Sequence, residues 1–88
     1  MSLEIVYSAR FKKHYRSLND QEKKQFRNKL NLFSENPMHP SLRTKRIQGT
    51  DELFEFSVNM DIRVIWYHEE EKIVALVDIG HHDILDNY

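Results

Sequence analysis

The sequence contains no cysteine. Disulfides, thiol catalysis and every zinc site built on sulfur ligands are thereby excluded. Glycine and proline occur only twice each. With Gly49 and Gly80 so far apart, no glycine-rich loop can cradle the phosphates of a nucleotide, which excludes P-loop chemistry. No apolar run approaches the roughly 18 residues that a membrane span needs. The opening residues Met1-Ser2-Leu3-Glu4 lack the basic stretch and apolar core of a secretory signal, so a cytoplasmic location without membrane contact is expected. Five histidines are present, but none stands in a His-x3-His or His-Glu-x-x-His spacing. Neither a metal nor any other cofactor is expected. No serine sits in a nucleophile elbow; Ser8, Ser34, Ser41 and Ser57 fit capping and solvated positions.

What is present is one domain, 1–88. A chain of 88 residues with 40% hydrophobic and 11% aromatic content can order itself, and it is too short for two cores. The net charge of -1 conceals an uneven distribution. Up to Gln48 there are eleven basic residues against four acidic ones, and from Gly49 onward two basic against ten acidic. A half this basic is a candidate surface for a polyanion, although solvated Lys and Arg faces are common on helices.

Leu3, Ile5 and Tyr7 alternate with Glu4, Val6 and Ser8, which predicts a short opening strand. Ser8 is placed to cap a helix carrying Phe11, Tyr15 and Leu18 on one stripe. Asn19 and Glu22 have capping-box spacing and begin a second helix with Phe26, Leu30 and Phe33 buried. That helix should stop near Asn36, ahead of Pro37. The two form an antiparallel helical hairpin. Residues 36–50 are expected as an ordered loop. Beyond them the period changes to two over Phe54–Val58, Ile62–Tyr67 and Ile73–Ile79, giving a three-stranded meander with turns at Asn59–Asp61 and Glu69–Glu71. A three-residue loop at Asn59–Asp61 pairs Val58 with Ile62, Phe56 with Val64 and Phe54 with Trp66, so the large apolar groups share one face. The predicted fold is α+β: an antiparallel β-sheet with an N-terminal helical hairpin packed on one face, in the order β-α-α-β-β-β.

The residues left for chemistry are basic groups, imidazoles and a phenol. Arg63 lies mid-strand on the face away from the helices, where it can act on a ligand or pair with Glu55 or Asp78. Gly80-His81-His82 closes the last strand, and Tyr88 ends the sequence. Lys45 and Arg46 lead from the loop into the sheet. Together these residue types match the needs of metal-free RNA cleavage. An imidazole moves protons near neutrality, cations stabilise the phosphorane, and an aromatic ring stacks on a base.

Three segments carry a resemblance to the RelE/ParE superfamily of toxins from type II toxin–antitoxin modules. They are Pro40-Ser41-Leu42 with Lys45 and Gly49, the strand Arg63-Val64-Ile65, and Gly80-His81-His82. The resemblance spans essentially the whole chain and implies a toxin held inactive by a cognate antitoxin. It implies a ribosome-dependent endoribonuclease that cleaves mRNA in the 30S A site through attack of the 2′-OH. It also implies that the toxin–antitoxin complex binds operator DNA through the antitoxin. By the same resemblance Arg63 stabilises the transition state, His82 or His81 acts as general acid, and Lys45 and Tyr88 complete the catalytic set. Arg43, Arg46 and Lys13 would contact RNA. Where RelE carries two strand lysines this sequence has Phe54-Glu55-Phe56, so a histidine-based mechanism like that of YafQ or YoeB is expected. Glu55 is then either a general base or the partner of Arg63. A ParE-like inhibitor of DNA gyrase and an inert antitoxin-binding relative are the alternatives.

Overall fold

The computed structural model describes residues 3–88; Met1 and Ser2, the first residues of the opening stretch read above, lie outside them. Strand β1 (Glu4–Tyr7) leads directly into helix α1 (Ala9–Arg16). Ser8 caps α1 by accepting from the Phe11 amide, and its own hydroxyl donates to the Val77 carbonyl. Helix α2 (Asp20–Glu35) starts from the expected capping box: Asn19 accepts from the Glu22 amide at 2.8 Å, and Glu22 accepts from the Asn19 amide at 2.9 Å. Asn36 leaves the helical region just before Pro37, as the proline requires.

The segment that follows is more structured than its composition suggests. Pro40–Leu42 forms a 3₁₀ turn, and Lys45–Arg46 forms a two-residue strand, β2. Strands β3 (Phe54–Ser57), β4 (Ile62–Glu70) and β5 (Ile73–His81) complete a five-stranded sheet in the order β1-β5-β4-β3-β2. The expected register holds, with Phe54 opposite Trp66 and Phe56 opposite Val64. The Val58 amide donates to the Ile62 carbonyl at 2.9 Å, closing the turn at Asn59–Asp61. The β4–β5 turn falls at Glu71–Lys72, because β4 runs through Glu70.

Three features differ from what the sequence predicts. First, β2 extends the meander on one side. Second, β1 joins the other side parallel to β5, with Glu4 opposite Ile73, so the sheet is mixed rather than purely antiparallel. Third, strict alternation fails in β5. Ile65 faces Asp78 while Trp66 faces Leu76, which leaves Val77 as an extra residue. This bulge resets the side-chain parity, so Val74, Leu76 and Ile79 all join the helix-facing core. That core is aromatic where α2 meets the sheet. Phe33 lies with its ring centroid 4.8 Å from those of both Phe56 and Trp66. Phe11 and Phe26, 5.5 Å apart, join α1 to α2. No helix among the described residues is long and apolar enough to cross a membrane.

Candidate active site

The second face of the sheet is covered by the end of the chain. After β5, residues His82–Asn87 form a 3₁₀ helix that folds back onto β4 and β5. Gly80 permits this turn. A Cβ there would stand 2.7 Å from Cγ2 of Ile84, closer than real side chains approach.

One cleft, of ≈ 390 Å³, forms between this C-terminal helix and the β2–β3 edge. It is lined by Lys45, Arg46, Ile47, Gln48, Glu55, His82 and Leu85. The pairing of β2 with β3 sets Lys45 opposite Glu55. Lys45, Arg46 and His82 are exposed, whereas Glu55 is only 4% exposed at the floor. A buried carboxylate requires compensation, and Arg63 supplies it from β4. Its Nε lies 3.6 Å from Glu55 Oε1, an ion pair too long to be a hydrogen bond. Arg63 Nη1 donates to the carbonyls of Asn59, Met60 and Ile62 at 2.7, 3.1 and 3.2 Å, bracing the β3–β4 turn. Of the two partners open to Arg63 in the sequence, Glu55 is the one it meets.

A second cleft, of ≈ 450 Å³, opens on the other side of the C-terminal helix, against α1. Arg10, Lys13, His14, Asp78, Ile84 and Asn87 line it. At its base Asp78 is 2% exposed. Its Oδ1 accepts from His14 Nδ1 at 2.6 Å and from the Ile79 amide at 2.8 Å. Its Oδ2 accepts from the Tyr88 hydroxyl at 3.0 Å, and that hydroxyl in turn accepts from Arg10 Nη1 at 3.3 Å. Tyr88 is thus fastened rather than frayed.

The structure therefore brings Lys45, Arg46 and His82 to one cleft, with Arg63 beneath them through Glu55. It carries Tyr88 and Lys13 to the other. His81 ends β5 opposite Ile62 and is exposed. Arg43 lies apart, in a pocket with Lys29, Ser57 and Met60. It closes the 3₁₀ turn at φ 52°, a left-handed conformation that costs a side-chain-bearing residue roughly 1–2 kcal/mol. The His14–Asp78 pair is not foreseen from the sequence. Its one sequence signal is the spacing Arg10-x-x-Lys13-His14, which puts three basic groups on a single helical face. Among the described residues no group of three His, Cys, Asp or Glu side chains could hold a metal ion.

The Tyr88 phenol is pushed above its ordinary value of 10.0, foremost by burial and also by its bond to Asp78, against the opposing pull of Arg10. The fold therefore favours the protonated phenol. Its contribution to stability is complete below about pH 10 and is lost as pH rises through the folded value. In a ¹³C titration the Tyr88 ring carbon bearing oxygen is expected to shift only above pH 10. A transition at or below that value would contradict the burial described.

Neither a family model nor any curated protein matches this sequence. Solved structures do match. A chain of the archaeal RelE–RelB complex from Pyrococcus horikoshii OT3 superposes with a TM-score of 0.72 at 16% identity, over 92% of this chain and 96% of that one. For the E. coli DinJ–YafQ toxin–antitoxin complex the values are 0.72 and 17%, over 97% and 98%. A YoeB/ParE toxin from Agrobacterium tumefaciens gives 0.76 at 7% identity, over 91% and 99%. Coverage of more than nine-tenths of both chains in each case places this chain in the RelE-like fold.

Proposed function

We propose that this chain is the toxin of a toxin–antitoxin pair and acts as a ribosome-dependent, metal-independent endoribonuclease on mRNA. The observation that carries this reading is the cleft in which Lys45, Arg46 and His82 surround the buried Glu55, with the half-buried Arg63 paired to that carboxylate. Two cations at the rim attract a phosphodiester and stabilise the charge of a phosphorane. The imidazole and the carboxylate supply a proton donor and a proton acceptor. In the proposed step the 2′-oxygen of one nucleotide attacks the adjacent phosphorus. Its proton passes to Glu55, the bond to the 5′-oxygen breaks, and His82 delivers a proton to that oxygen. The products are a 2′,3′-cyclic phosphate and a free 5′-hydroxyl. Arg63, already within 3.6 Å of Glu55, contributes positive charge beneath the reacting phosphate.

The fold likeness to chains of RelE–RelB and DinJ–YafQ complexes supports an antitoxin partner. An acidic or amphipathic segment that folds on binding would neutralise the basic N-terminal half, and operator DNA would be reached through that partner.

The test is a reconstituted translation system given defined mRNA, with and without a chelator. Ribosome-dependent cuts that leave cyclic phosphate ends and persist in chelator are expected. Intact mRNA would end the nuclease reading, and inhibition of gyrase supercoiling in a parallel reaction would replace it.

A further inference from the structure

The cleft between α1 and the C-terminal helix lies outside the proposed catalytic cleft, yet its parts are more tightly organised. Five histidines are present in the sequence. Among the described residues, only His14 has a carboxylate on its ring, and that carboxylate is 2% exposed. Burying an aspartate is costly unless it is fully hydrogen-bonded. Asp78 meets this condition by receiving three donors, from His14, Tyr88 and the Ile79 amide. Three donors converging on one carboxyl group is the pattern of an ionised carboxylate, which can only accept. With Asp78 accepting at Nδ1, the tautomer of the neutral ring that fits the site carries its proton there and presents Nε2 as an acceptor. The His14 side chain is 41% exposed, so that acceptor is open to the cleft. Arg10 and Lys13 stand on the same helical face, one turn earlier and one residue earlier.

A fixed acceptor beside two cations matches a specific chemical unit. The cations fit the single negative charge of a phosphodiester. The acceptor fits a hydroxyl donor next to it, and in a polynucleotide that donor is the ribose 2′-OH, the group that separates RNA from DNA. We infer that this cleft is a ribose-phosphate subsite for single-stranded RNA, with Arg10 and Lys13 on the phosphate and His14 Nε2 accepting from the 2′-OH. Asp78 is a positioning residue: it fixes the tautomer and the ring plane. Tyr88, tied to both Asp78 and Arg10, joins the C-terminal helix to the subsite. RNA lying across that helix would then touch both clefts. The inference rests on the RNA reading proposed above, and it adds a second binding point that distinguishes sugars.

The experiment uses the full chain with a short single-stranded RNA and its 2′-deoxy counterpart, away from ribosomes. Binding is followed by fluorescence anisotropy and by ¹⁵N signals of the imidazoles. The RNA is expected to move the His14 ring signals and to bind about 2–10-fold more tightly than the DNA, the range of one neutral hydrogen bond. His14→Ala should remove that preference while both oligomers still bind. Arg10→Ala with Lys13→Ala should weaken both oligomers alike and lower the salt slope by about 0.7 for each phosphate no longer neutralised. Arg10 and Lys13 are exposed and His14 is half-buried, and a backbone spectrum of each variant verifies the fold. Equal affinity for the two sugars, a preference that survives His14→Ala, or unmoved His14 signals would each overturn the subsite. Because these readings need no cleavage, they fail or succeed separately from the translation assay, which judges the nuclease itself.

Discussion

His82→Ala is expected to slow mRNA cleavage by about 10²–10⁴-fold, the usual contribution of a positioned proton donor. Its stability should stay within about 0.5 kcal/mol of the parent, as for a surface substitution that breaks no special feature. The structural basis is simple. His82 is exposed at the start of the C-terminal helix, and its side chain has no hydrogen bond or ion pair among the described residues. It nonetheless lines the cleft with Lys45 and Glu55. Initial cleavage rates and a thermal melt on the same preparation check both halves of the expectation. An unchanged rate would remove His82 from the mechanism. His81→Ala is the internal comparison: that residue ends β5 opposite Ile62 and is not among those lining the cleft. It should slow cleavage no more than a few-fold. Equal effects at the two positions would mean that the cleft admits either imidazole.

The second large effect concerns stability. Phe33→Ala should cost about 3–5 kcal/mol, the range for emptying a buried aromatic site. Phe33 is fully buried and wedged between Phe56 and Trp66, so neither α2 nor the sheet can collapse into the space without pulling another pair of rings apart. Stabilities of roughly 0.05–0.15 kcal/mol per residue leave a domain of this length little reserve. The urea midpoint should fall by about a quarter or more, with an unchanged slope. A midpoint near that of the parent would show that the aromatic cluster rearranges to fill the gap. Phe33→Leu, which keeps most of the volume, should be far milder.

The sequence was most legible where structure is set by neighbours along the chain. The Asn19–Glu22 capping box, the stop before Pro37 and the β3–β4 register all depend on local spacing and a short turn. Each appears as expected. What escaped was set by distant parts of the molecule. Lys45 and Arg46 form a strand only because β3 offers an edge, and two residues carry no periodicity of their own. The parallel seat of β1 depends on β5, far along the chain. The unbroken apolar run from Ile73 to Val77 hides the bulge from any reading of alternation. The same division applies to the candidate site. The residue types for Lys45 and His82 were visible, but their meeting in one cleft depends on the chain folding back after Gly80. Tyr88 went to the opposite cleft because Asp78, which nothing in the sequence marks as buried, holds it there.

The parallel seat of β1 also bears on how the protein is made. The Ser8 hydroxyl and the Val77 carbonyl it binds are 69 positions apart. At about 5–20 residues per second the first strand therefore leaves the ribosome several seconds before its partner has been synthesised. The helical hairpin can form during that interval, but the sheet it covers cannot be completed. Both clefts are bounded by the C-terminal helix, which is translated after β5 and every element before it. A chain with the activity proposed here would thus emerge without a working cleft, and it would acquire one only once that helix has followed β5 out of the ribosome.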